Sequence, residues 1–167
     1  MSNSYTTIVN QAIDLLEGLN LNEYQKQLPP HFPSSIGAHI RHVVDHFLAL
    51  MNGQKQGHVN YNIRHRHNKI EQLPDAAIET LQQINTWLND LSDTSLRNEI
   101  SVTSEIDVTC AKSATCLSTL ERELVFASSH AIHHYALIRI MCSMQNKAIP
   151  EYFGYAPATI THLTKSA

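Results

Sequence analysis

Charge is sparse in this sequence and neither sign dominates: 16% of the 167 residues are Asp, Glu, Lys or Arg, and the formal net charge is −3. Without a basic field the chain has no means of holding a polyanionic backbone, so nucleic acid is excluded as the expected partner. Long apolar runs are lacking too, and nothing approaches the roughly 20 residues that a spanning helix needs. The start, Met1-Ser-Asn-Ser-Tyr-Thr-Thr, has neither the basic opening nor the apolar block of a secretion signal. The expectation is a protein of the cytoplasm with no membrane association. Glycine and proline number only 5 and 6 while 43% of residues are hydrophobic, which sets aside disordered, collagen-like and linker classes. Cys110, Cys116 and Cys142 make an odd number with no paired framework, as expected of small thiols in a reducing compartment. There is no Gly-rich phosphate loop, no Gly-x-Ser-x-Gly elbow and no Cys-x-x-Cys, so nucleotide, esterase and thioredoxin-type chemistry lack support. What remains is one folded domain over residues 1–167, long enough to bury roughly two thirds of the surface that its unfolded chain exposes.

Histidine is what the sequence has in excess, with 11 against 12 Lys plus Arg. Eight of them fall in short clusters at 39/42/46, 65/67 and 130/133/134. Imidazole is the commonest side-chain metal ligand and the usual acid or base near neutral pH, so these clusters are the place to look for function.

Hydrophobic spacing puts the clusters on helices. Ile8, Ala12, Leu15, Leu16 and Leu19 predict a helix over 4–19, with 21–28 continuing it or forming a separate turn. Pro29, Pro30 and Pro33 end that stretch, and Ser34 or Ser35 can cap a second helix marked by Ile36, Ile40, Val43, Phe47 and Leu50. A polar, aperiodic crossover follows over 53–74. Asp75 then caps a third helix striped by Ile78, Leu81, Ile84, Leu88 and Leu91. The alternation of Ile100, Val102, Ile106 and Val108 predicts a small hairpin turning at Thr103-Ser-Glu105. Ser118-Thr-Leu-Glu121 reads as a capping box opening a last helix to Gln145, lined by Leu120, Leu124, Ala127, Ala131, Ile138 and Met141. The fold class is all-α: a four-helix bundle with a long crossover, a small β-hairpin before the last helix, and an aromatic tail (Pro150 to Pro157) covering one end.

On the last helix His130 and His134 are four residues apart and can present two imidazoles to one ion, with small Ala127 and Ala131 leaving room beside them. The second helix carries His39, His42 and His46 in the same core. A wheel centred on its apolar stripe brings His39 and His46 nearest that face, with His42 further round.

Ser35-Ile36-Gly37 with a His seven residues after the Ser, together with His130-x-x-x-His134 late in a long final helix, resembles the paired signatures of the DinB/YfiT-like metalloenzymes. The resemblance covers about residues 5–145. It implies an up-down-down-up bundle and a divalent ion held by His42, His130 and His134, zinc being the first choice and nickel the second. The extra histidines depart from the broad pattern. His46 and His133 are candidates for a fourth ligand, a supporting partner or a proton shuttle, Asp45 for orienting an imidazole through its second nitrogen, and His39 for a satisfied flank residue. Arg64 and Arg66, in the basic stretch 61–69, are candidate anchors for a substrate carboxylate or phosphate. Three ligands leave open positions on the ion, which predicts a hydrolase or a thiol-dependent transferase acting on a small molecule, with a low-molecular-weight thiol as the co-substrate that the resemblance suggests. The alternative is a non-catalytic metal-binding or stress-response module with a closed site. Members resembling this family pair into homodimers, and Tyr152, Phe153 and Tyr155 could supply the contact area if the monomer does not consume it.

Overall fold

The computed structural model describes residues 4–65 and 68–165. Helix α1 (Ser4–Glu17) ends two residues before the expected limit and buries Ile8, Ala12, Leu15 and Leu16 of the predicted stripe, together with Val9. The stretch after it is a separate short helix, α2 (Leu21–Gln25), because Asn20 and Glu23 close a reciprocal capping box: the Asn20 side chain accepts from the Glu23 amide at 3.0 Å and the Glu23 carboxylate from the Asn20 amide at 2.8 Å.

Helix α3 (Ile36–Gly53) starts at Ser35, whose hydroxyl accepts from the Ala38 amide. Gly37 in its first turn lies against α4 (Lys69–Gln72), where a Cβ would run into the Glu71 carbonyl and the Tyr24 ring. Helix α5 (Pro74–Asn89) buries Ala77, Leu81, Ile84 and Leu88. Its opening corrects the expected cap: Pro74 occupies the first helical turn, Leu73 stands at the cap position without a side-chain bond, and Asp75 lies inside the helix. Proline fits there because the missing N–H would have had no partner in any case.

A three-stranded sheet is the larger departure from an all-α reading. Strand β1 (His58–Asn60), inside the crossover, runs parallel to β2 (Glu99–Glu105), which pairs antiparallel with β3 (Ser113–Thr119). The expected turn at Thr103-Ser-Glu105 is therefore wrong. Those residues are laddered to Thr115, Ala114 and Ser113, and the chain reverses over 106–112. There the Asp107 carboxylate accepts from both the amide and the hydroxyl of Thr109, a local turn bond that competes with strand extension. Ile106 and Val108, read as strand positions, lie exposed outside the ladder.

Helix α6 (Asp93–Leu96) is a short connector between α5 and β2, and α7 (Leu120–Met144), which follows β3, is the longest helix. Helix α7 is capped by Thr119, which accepts from the Arg122 amide at 3.3 Å. This displaces the expected Ser118/Glu121 box, since the Ser118 hydroxyl donates instead to the Glu123 carboxylate at 2.7 Å. The four long helices form one core in which α1 packs on α5 and α7, and α3 on α5 and α7. The tail folds back as expected: Phe153 is buried and stacks on Tyr135 at 5.0 Å, and Arg139 donates to the carbonyls of Glu151 and Phe153. A further helix, α8 (Pro157–Lys165), ends the described chain.

Candidate metal centre

Helices α3 and α7 lie side by side, and each presents two imidazoles one turn apart toward the other: His42 and His46 from α3, His130 and His134 from α7. His42 is the hub. Its ring centroid lies 4.7 Å from that of His46, 4.9 Å from His130 and 4.7 Å from His134. The Nε2 atoms of His42 and His130 are 2.9 Å apart. One nitrogen each from His42, His46 and His130 lies within 4.8 Å of the others, a group that can hold a metal ion. His134 borders this trio, 4.7 Å from the His130 ring. Ala127 and Ala131, on the same helix as His130 and His134, are buried in the core.

The chemistry of these donors fits a cation. His46 Nδ1 is 2.9 Å from the His42 carbonyl, which can only accept; the hydrogen is therefore on Nδ1 and the Nε2 lone pair is free to ligate. Burial, and after it the neighbouring imidazoles and Arg64, pushes the His42 pKa down to about 2. Burial and adjacent His residues bring His134 down to about 3, and burial, His46, His133 and Arg64 bring His130 down to about 4. His46 is lowered as well, chiefly by burial. All four are neutral near pH 7, the state in which imidazole binds a metal.

Aromatic residues wall the cluster. Tyr61 stacks on His46 at 5.0 Å and Phe126 on His130 at 5.9 Å. The Tyr61 hydroxyl donates to the buried Glu123 carboxylate at 2.8 Å, which also accepts from Ser118 and Arg122. A groove of about 350 Å³ opens beside these walls, between the sheet and the start of α7, bordered by Tyr61, Val102, Ile106, Leu117 and Phe126.

The other sequence candidates take distinct places. Asp45 is buried next to His46 yet turned away from the cluster: it accepts from Arg41 at 3.0 Å and from His65 Nδ1 at 2.8 Å. The imidazole it orients is thus His65 of the crossover. Arg41 in turn pairs with Glu71 at 3.1 Å, joining α3 to α4. His39 is the satisfied flank residue expected, its Nδ1 2.9 Å from His134 Nδ1 and its Nε2 3.1 Å from the Ser34 hydroxyl. His133 is exposed, its ring 5.4 Å from that of His134. Arg64 reaches the cluster, with its guanidinium on His42 Nδ1 and 3.3 Å from Nε2. Arg66 lies outside the described residues. Sequence reading did not single out Tyr61, Phe126 and Glu123, whose roles come from long-range packing with no spacing signal; His65 was visible in the 65/67 cluster and the basic stretch, without its partner Asp45.

Comparison with known proteins agrees with this architecture. A family model described as the DinB superfamily matches residues 7–138. Two solved DinB-like proteins share the fold: one from Bacillus subtilis (TM-score 0.65, 19% identity, 89% of this chain and 94% of that one) and one from Bacillus cereus (TM-score 0.62, 12% identity, 90% and 98%). A segment of 107 residues is 34% identical to FK506-binding protein 5 of Rhizopus delemar; it makes up 64% of this chain and spans only 28% of that longer protein. With paired histidines on facing helices and a family match over most of its length, this chain belongs to the DinB superfamily.

Proposed function

We propose that this chain is a metal-dependent enzyme acting on a small molecule, with a divalent ion held among the imidazoles of α3 and α7. The observation that carries the reading is the meeting of neutral His42, His46 and His130 nitrogens within 4.8 Å of one another. His42 and His130 belong both to this trio and to the set that the family signatures imply, and they are the proposed common ligands. The third comes from His134 or His46. Each keeps one nitrogen for an ion while Nδ1 is engaged elsewhere, His134 with His39 and His46 with a backbone carbonyl. The one of these two that does not ligate is placed to accept or return a proton.

Zinc is the first choice and nickel the second, since neutral nitrogens suit both. When bound, the ion would activate a water or a low-molecular-weight thiolate for attack, which makes hydrolysis and thiol transfer the reaction classes to test. The chain supplies the rest: an apolar groove for the substrate body along Val102, Leu117 and Phe126, and the Arg64 guanidinium beside the cluster for a carboxylate or phosphate. Four coordinating imidazoles would close the site and favour the non-catalytic alternative, a metal-binding module.

Metal analysis of protein never exposed to a nickel column tests the reading. About one divalent ion per chain is expected in the native protein and none in His42→Ala/His130→Ala. Undiminished metal in the double variant would overturn it. A spectrum showing four histidine ligands and no exchangeable position would remove the enzyme and leave the module.

A further inference from the structure

We propose that Arg64 guards the imidazole cluster: its guanidinium competes with the divalent ion for His42, and once displaced it stands beside the ion as a clamp for an anionic substrate group. This rests on the metal reading above and adds a residue that sets both access and selectivity.

Occupancy at His42 is exclusive by chemistry. A neutral imidazole has one in-plane lone pair, on the ring nitrogen that lacks the hydrogen, and an N–H donor or a metal can take it but not both. The Arg64 guanidinium lies on Nδ1 of His42 and 3.3 Å from its Nε2, and His42, like His130, touches the other three rings of the cluster. Charge opposes joint occupancy as well. The ligand group is imidazole only, and Asp45, the buried acid next to His46, is committed to Arg41 and His65. A divalent ion arriving at the rings therefore meets a guanidinium of like sign at close range.

The neighbouring residue explains how the guanidinium is held and how it can leave. His65 Nδ1 donates to Asp45 at 2.8 Å and pins the segment between β1 and α4 against α3. Arg64 directly precedes that pinned residue, so the guard requires its side chain to turn off His42 while His65 stays on Asp45. After it clears, the site holds an ion, neutral imidazoles and a planar fork of donors, a combination that selects a carboxylate, phosphate or thiolate over a neutral group.

Zinc affinity of the chelator-stripped protein, read by competition with a chromophoric chelator, tests the guard. Arg64→Ala should bind zinc about tenfold tighter than the native chain. Arg64→Lys should fall between, because it keeps the charge and loses the fork. His65→Ala, which frees the tether and leaves the cluster intact, should tighten binding by a smaller factor, and Arg97→Ala at the end of α6 should change nothing. Equal or weaker binding by Arg64→Ala overturns the guard while leaving the metal reading in place; no zinc on either the native chain or Arg64→Ala overturns both. For the clamp, acetate should perturb the visible spectrum of the cobalt-loaded native protein at about tenfold lower concentration than that of Arg64→Ala. Equal acetate response in the two removes the clamp.

Discussion

His46 and His134 each have one nitrogen tied down, so the two can be told apart by substitution. Whichever is the third ligand should, as the Ala variant, lower metal affinity by about 10- to 100-fold or more; the other should change the pH profile of activity and leave metal content near native. Burial gives the cluster a cost in acid when no metal is bound. His42, His130 and His134 have folded pKa values of about 2, 4 and 3 against an ordinary 6.5. Below pH 6.5 the unfolded chain takes up protons that the folded chain refuses, so stability falls with pH and continues to fall toward pH 4. Denaturant melts in the presence of a chelator should show a lower midpoint at pH 5 than at pH 7, and His130→Gln should reduce that difference. Tyr61 offers a test of the cluster's wall. Tyr61→Phe keeps the ring on His46 and removes a buried hydrogen bond to Glu123, with an expected cost of about 1 kcal/mol by equilibrium unfolding and metal binding retained.

At the scale of elements, α3 matters most because it carries half the cluster and touches most of the fold. Its first turn is sealed by Gly37, over which α4 crosses; Gly37→Ala has no room and should destabilise by about 1–3 kcal/mol or more. Ser35→Ala, which removes only the cap, should cost about 1 kcal/mol. A lower denaturation midpoint for both variants, with Gly37→Ala the lower, checks the pair; no change in either would mean that the start of α3 does not hold the helix in place. The helices were legible because their apolar stripes repeat at helical spacing over many residues. The strands were not, since Ile100, Val102, Ile106 and Val108 alternate without marking where a strand stops, and β1 is three residues long in a polar stretch. Its pairing with β2 joins residues more than forty positions apart, which no local pattern encodes.

Across the whole molecule, metal and fold should be coupled. Ligands from two helices are brought together only in the folded chain, so zinc at 100 times its dissociation constant should add about 2.7 kcal/mol and raise the melting temperature. A thermal scan with and without zinc reads this directly, and an unshifted transition would mean that the cluster does not take the ion. Assembly is affected too. Phe153 is buried on Tyr135, and Arg139 lies over the Tyr155 ring at 4.9 Å, so the chain itself consumes contact area on which the expected homodimer depended.

By itself the sequence determined the long helices, their buried stripes and the two histidine-bearing segments, because side-chain periodicity and spacing along a helix are local properties written in residue order. It also carried the motif pair that marks the family. Only the tertiary structure decided which imidazoles meet, that His46 stands inside the nitrogen trio with His42 and His130, and that Asp45 faces His65 instead of the cluster. It alone joined β1 to β2 and set Arg64 upon His42. These are contacts between segments distant in the chain, and they are fixed by how helices and strands pack, a balance of burial and hydrogen bonding summed over the whole core that no single stretch of residues contains.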